Sequence, residues 1–269
     1  MLAKRNWLLI GIAAVVLIGA GVGIITYMSK RQNSELVLSD YPELFKKDAM
    51  IIVGGNASQI ELESAEAIAA KLEELTGNKP EIKNGTEIAE NAKENHNLVL
   101  IGTPNSNNLL QEVYLVTDAT RVTKEYPGKN KGLLEILRSP WNEDRGLLLV
   151  VGSDEWGVKV GELMIRDQKL EKKNKTFVNW EEYTGVEFPI DSEEEAIRYA
   201  QTEFDANEFI KEWAATGRGT KIMAEWDSYY DVWEVDIRPI PKEGIIEIMF
   251  VMRFKRDGSL IEKGIFPTA

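Results

Sequence analysis

An apolar run, Met50-Ile51-Ile52-Val53, meets Gly54-Gly55-Asn56-Ala57-Ser58, and a helical pattern follows at once. Strand, glycine turn and helix is how a phosphate-binding α/β domain begins, because a helix N-terminus offers unpaired backbone N–H groups to an anion. The run is not GxGxxG, and it lacks the GK[ST] ending of a P-loop. No lysine stands where a triphosphate needs one, and the nearby charges are Glu61, Glu63 and Glu66. The glycines are therefore expected only to turn the chain, with Asn56 or Ser58 capping the helix. No nucleotide and no other cofactor is expected.

Other catalytic chemistry is sparse. His96 is the single histidine, in a polar Glu-Asn-His-Asn run, and no GxSxG surrounds any serine. The absence of cysteine excludes thiol catalysis and disulfides, and with one histidine it excludes the usual zinc sites. Calcium needs several oxygens together. Asp144 with Asn142 and Glu143, and Asp227 with Asp231, are the nearest approaches, and both read better as solvated turns. No metal site and no catalytic residue is expected. Carboxylates are numerous enough to leave paired-acid chemistry open.

The aromatics stand out more: Trp141, Trp156, Trp213, Trp226 and Trp233. Trp226 and Trp233 flank Tyr229-Tyr230 at an expected hairpin tip, a candidate protein or ligand contact that could stack on a sugar or receive a peptide. The plainer reading is that these rings glue a thin sheet to its helix.

The elements that would position these groups fall into two patterns. Met50–Val53, Pro80–Lys83, Asn97–Gly102, Gly132–Leu137 and Gly146–Gly152 read as strands. Residues 58–76, 105–113 and 156–165 read as helices, the first with Ala65, Ile68, Ala69, Leu72 and Leu75 on one face and Gly77 as its stop. Strands apolar on both faces and separated by helices predict an α/β domain, a mostly parallel sheet in three layers, over residues 49–167. A charged break opens a linker, residues 168–190. From 191 to 269 a helix begins at Ser192 with Glu195 as capping-box partner. A second helical piece spans 208–215. The strand-like runs 221–226, 233–237, 245–254 and 259–263 then predict a small α+β domain with an antiparallel meander.

The N-terminus differs in kind. Residues 7–27 carry no charge, between Lys4-Arg5 and Lys30-Arg31. A bilayer core is spanned by about 20 apolar residues, and Trp7 and Tyr27 stand where interfacial aromatics belong. Residues 1–31 are thus expected to be a single transmembrane anchor contacting lipid through residues 7–27, with 32–48 as a juxtamembrane stalk. The N-terminus is expected in the cytoplasm and the body outside the cell membrane. Setting aside the four flanking basic residues leaves 28 of 32 basic residues against 44 acidic ones, a balance of −16. Such a body disfavours nucleic acid and anionic lipid. Asn56, Asn84 and Asn174 head Asn-X-Ser/Thr sequons, candidate glycosylation sites if the body is outside.

Ile51 to Ala57 with Glu63 to Leu72, then LVLIGTPNSNNLL at 98–110, then residues 132–165 resemble the α/β domain of archaeal S-layer and S-layer-like surface proteins. The resemblance implies a structural surface module without catalytic residues. S-layer subunits are much longer, which implies an accessory envelope protein rather than the lattice subunit. Glu195 to Ala200, Tyr230 to Val235 and Asp257-Gly258 resemble, more weakly, a PepSY-like domain. That resemblance implies a protein-binding or peptidase-inhibiting role. The expected function is a non-catalytic, membrane-anchored surface protein that contacts other cell-surface proteins. The alternatives are regulation of an envelope peptidase through residues 191–269, and a carboxylate-based enzyme acting on envelope glycans.

Overall fold

The computed structural model describes residues 35–86, 88, 90–241 and 248–267. The expected anchor lies outside them. Among the described residues no helix is long and apolar enough to cross a membrane.

The fold is mixed α/β, with one mostly parallel sheet and one antiparallel sheet. The first contains β1 (Ala49–Val53), β2 (Glu81–Asn84), β3 (Asn97–Gly102), β4 (Lys131–Ser139), β5 (Asn142–Gly152) and β6 (Lys175–Asn179), in the order β2-β1-β3-β5-β4-β6. β1 pairs in parallel with β2 and β3, and β3 with β5. β4 runs antiparallel to β5 and β6. Helices α1 (Gln59–Thr76), α2 (Glu90–Asn95), α3 (Leu109–Val116) and α4 (Glu155–Arg166) cover both faces. Ala65 and Ile68 of α1 and Val158 and Ile165 of α4 pack on Ile51, Val99, Leu148 and Val150. On the other face Leu110 and Val113 of α3 pack on Ile52, Leu100 and Leu149. Burial on both sides is why these strands read as unbroken apolar runs.

Two segments behave differently from the sequence expectation. Residues 35–48, expected as a stalk, are part of the core: Leu38, Tyr41 and Phe45 are buried in it. Leu38 N–H donates to Lys173 C=O at 2.7 Å and Ser39 N–H to Glu171 C=O at 3.1 Å. The expected linker, 168–190, holds the edge strand β6 and a short helix, α5 (Trp180–Thr184). β6 escaped notice because only Val178 of its five residues is buried.

The second part comprises α6 (Glu193–Thr202), α7 (Phe204–Ala215) and strands β7 (Thr220–Asp227), β8 (Val232–Pro239), β9 (Ile248–Phe254) and β10 (Leu260–Pro267). The strands form an antiparallel sheet ordered β10-β9-β8-β7. Ser192 caps α6, accepting from Glu195 N–H at 3.3 Å. The Glu195 carboxylate reaches back to Asp191 N–H and the Ser192 hydroxyl rather than to Ser192 N–H. Tyr199 and Phe209 pack on Trp233, Val235, Phe250 and Phe254.

Helix α4 belongs to both cores, giving Val158 and Ile165 to the first and Val160 and Leu163 to the second. Its charged residues are consequently trapped between them. Lys159 is 2% exposed and Glu162 is fully buried. Lys159 Nζ lies 3.4 Å from Glu162 and 3.3 Å from Glu203, and Arg166 Nε lies 3.6 Å from Glu162. Arg166 also donates to Thr202 C=O at 2.8 Å. Lys263 of β10 completes the set at 3.2 Å from Glu63 of α1, 3.4 Å from Glu203 and 3.1 Å from Asp205. Burial works to raise the Glu203 carboxyl, but Lys159 and Lys263 hold it below the usual range. Burial likewise works to lower both lysines, and the carboxylates around them raise both instead.

Removing one member of a buried charge set strands its partners, at a cost of about 3–5 kcal/mol, whereas removing a pair together costs less. Lys159→Met is expected to lose that much stability in urea unfolding. The double variant Lys159→Met/Glu162→Leu should recover at least half of the loss. A single-variant loss below about 1 kcal/mol would contradict the arrangement.

Candidate functional site

The glycine turn after β1 lies at the strand-order switch, where the chain leaves β1 for β2 on one side and returns to β3 on the other. Open α/β sheets place ligands in this crevice. In this chain a side chain takes the place of the ligand. Ser58 caps α1, and Glu61 forms the reciprocal capping box, its Oε2 accepting from Ser58 N–H at 2.8 Å. Glu61 Oε1 accepts from Thr103 N–H at 2.9 Å and from the Ser106 hydroxyl at 2.6 Å. Ser58 N–H, Thr103 N–H and the Ser106 hydroxyl are thus bound to one internal carboxylate that is 1% exposed. Burial raises its proton affinity, and the bonds from Ser106, Ser58 and Thr103 work against that.

The same latch explains Gly54. A β-carbon there would stand 1.9 Å from Ser106 C=O, so only glycine lets the two turns approach. Asn107 closes the junction from below, donating to Ile101 C=O at 2.9 Å and Ile52 C=O at 3.3 Å. What remains outside is a crevice of about 470 Å³ bordered by Asn56, Thr103, Lys124 and Asp154.

The other sequence candidates are scattered. His96 Nδ1 lies 2.9 Å from Ala92 C=O at the end of α2. Asn142 and Asp144 engage each other at the start of β5, Asp144 N–H donating to Asn142 Oδ1 at 3.0 Å. Among the described residues no three metal-type ligands cluster. Of the sequon residues, Asn56 is exposed on the glycine turn, while Asn84 and Asn174 are half-buried. Asn84 Oδ1 accepts from Thr86 N–H at 3.0 Å and its hydroxyl at 2.9 Å.

The aromatic group divides. Trp233 is buried and donates through Nε1 to Ile190 C=O at 3.0 Å. Trp226 faces it across the β7–β8 ladder, centroids 5.4 Å apart and edge-on. Half-buried, it walls a groove of about 350 Å³ with Ile190, Asp191 and Arg256. Arg256 is ion-paired with Asp191 and lies over the Trp226 ring at 5.9 Å. Tyr229 and Tyr230 stand at the tip, 85% and 70% exposed, edge-to-face at 4.8 Å. Asp227 fixes the turn by accepting from their N–H groups at 2.9 and 3.1 Å. Trp233 and, in part, Trp226 are thus packed into the second core, whereas Tyr229 and Tyr230 stand exposed at the tip.

Between the two sheets lies a larger cavity, about 510 Å³, that the sequence did not announce. Trp156, Phe188 and Tyr199 line it. Trp180, stacked on Phe188 at 5.9 Å and tilted against Trp156 at 4.9 Å, supports that wall from behind. Its neighbours come from sequence positions as distant as Gln59 and Leu260, so no local motif could reveal it. Compared with known proteins, the chain matches no family model and no curated sequence.

Glu61→Ala should lower stability by about 3 kcal/mol, from a lost cap and orphaned buried donors. Glu61→Gln should lose roughly half as much. Thermal unfolding decides: a loss under about 0.5 kcal/mol for alanine would mean that the carboxylate does not hold the turns.

Proposed function

We propose that this is a non-catalytic docking protein of a cell envelope, fixed to a membrane by residues 7–27 with its body outside, and that the β7–β8 tip is its contact point. The observation that carries the reading is the Tyr229–Tyr230 pair: two large, exposed rings, edge-to-face, on a turn whose backbone Asp227 fixes. Rigid tyrosines give contact area at little conformational cost. The net charge of −12 selects a partner with a neutral or basic face. The resemblance of residues 50–165 to S-layer-like domains supports a neighbouring surface protein as that partner. The packing of α6 and α7 on an antiparallel sheet accords with the PepSY-like resemblance.

Carboxylate catalysis finds little support. A glycan-cleaving site needs an acid that holds its proton, facing an ionised partner across a groove. Among the described residues the carboxyls raised by burial are Glu61 and Glu162. Glu61 is bonded inside the latch, and Glu162 lies in the buried charge set.

A photo-crosslinking residue at Ser228, between the tyrosines and Asp227, should give one discrete adduct on intact cells. The same residue at exposed Glu143 of β5 should not. Tyr229→Ser/Tyr230→Ser should reduce the adduct at least about tenfold, as expected for two anchoring rings, without changing the melting temperature. Equal adducts at both positions, or an adduct indifferent to the tyrosines, would contradict the proposal.

A further inference from the structure

The cavity between the sheets has a composition that the docking role does not use. Its volume, about 510 Å³, falls in the range of small-ligand sites, about 300–1,000 Å³. Its apolar wall is Trp156, with Phe188 at 4.5 Å and Tyr199 at 5.9 Å. Gly258 seals the far side: a β-carbon there would meet the Trp156 ring at 2.7 Å.

Five carboxylates dominate the polar wall, beside the side chains of Gln59, Asn130 and Ser259. Glu63, Asp154, Glu155, Glu203 and Asp257 line it against one lysine, Lys129. Three of these acids are engaged from behind. Lys263 lies 3.2 Å from Glu63 and 3.4 Å from Glu203. Asp154 caps α4, accepting from Gly157 N–H at 3.0 Å and Asn130 N–H at 2.7 Å. Glu155 and Asp257 form no ion pair among the described residues. The bonds from Ser259 hold the Asp257 carboxyl below the usual range.

A separate feature points the same way. Asn130 lines this cavity and is 3% exposed. Its amide Nδ2 donates to Glu181 at 3.2 Å, but its Oδ1 finds no donor among the described residues. Buried side-chain oxygens are rarely left so. A ligand for this site must therefore bring donors, positive charge and an apolar stem to lie along the rings.

We propose that the cavity between the two sheets binds an alkylammonium group, seated on Trp156 and Phe188 and held by Glu155 and Asp257 beside the Asn130 amide, whose oxygen has no donor among the described residues. A ring face attracts such a cation, and the acidic rim draws it in. The group could arrive as a free diamine or as the lysine side chain of a polypeptide, and the chemistry of recognition is the same.

The full chain in mild detergent is titrated with 1,5-diaminopentane, with a capped Gly-Lys-Gly peptide, and with 1-pentanol as the uncharged control, at fixed ionic strength. Tryptophan fluorescence and calorimetry are the readouts. Saturable one-site binding is expected for at least one amine and none for pentanol. Tighter binding of the peptide would assign the source to a partner's lysine, and tighter binding of the diamine to a free small molecule. Glu155→Gln/Asp257→Asn keeps the acceptor for Ser259 N–H and should weaken binding at least tenfold with an unchanged melting temperature. Trp156→Leu should weaken it by a similar factor. A response that never saturates, that sodium chloride reproduces, or that the double variant leaves intact would overturn the proposal and mark only diffuse counter-ion attraction.

Discussion

The structure turns on the charged layer buried around α4. Lys159, Glu162 and Arg166 could not lie between two apolar cores unless Glu203 met them there, itself held by Lys263, which Glu63 and the more exposed Asp205 balance. Each charge is costly to bury alone, and the set is tolerable only when complete. The layer draws on α1, α4, the α6–α7 junction and β10, so its completion fixes how the second sheet stands on the first. The cavity lined by Trp156 and Asn130 follows from that placement. The hairpin tip at Tyr229 extends from the second sheet and is positioned by it in turn.

A similar economy governs the glycine turn. Sequence reading took Glu61 as one of the negative charges that argue against a phosphate. In the fold its carboxylate occupies the donors themselves, bridging the turn after β1 to the turn after β3. The topology of a ligand-binding sheet is kept, with Glu61 joining the two turns and a crevice of about 470 Å³ outside them. The bond from the Ser106 hydroxyl to Glu61 joins positions 45 apart and could not be read locally.

Legibility along the chain tracks burial. β3 is apolar on both faces, and its bounds, Asn97–Gly102, were evident. β4 and β5 were evident as strands, but their antiparallel pairing through Pro140-Trp141 was not. β6 was hidden by the charged run before it, Glu171-Lys172-Lys173, and by its own exposed Lys175, a charge that an edge strand tolerates. Leu38, Tyr41 and Phe45 are spaced by three and four, a buried-face signal that a short polar segment obscured. Among the site residues, Tyr229 and Tyr230 were legible as an aromatic tip, and Trp226 and Trp233 as its flanks. Trp180, fully buried, was not singled out. The cavity was invisible because its wall is assembled only when the charged layer closes.

The central claim is that the two sheets are one cooperative body joined through α4. The direct measurement is equilibrium urea unfolding of the full chain in mild detergent. Tryptophan fluorescence and far-ultraviolet circular dichroism are followed together. One transition, coincident by both probes, is predicted, because neither core can release α4 without exposing unpaired charge from the other. Two separated transitions, with the antiparallel sheet lost while the parallel sheet persists, would contradict the account.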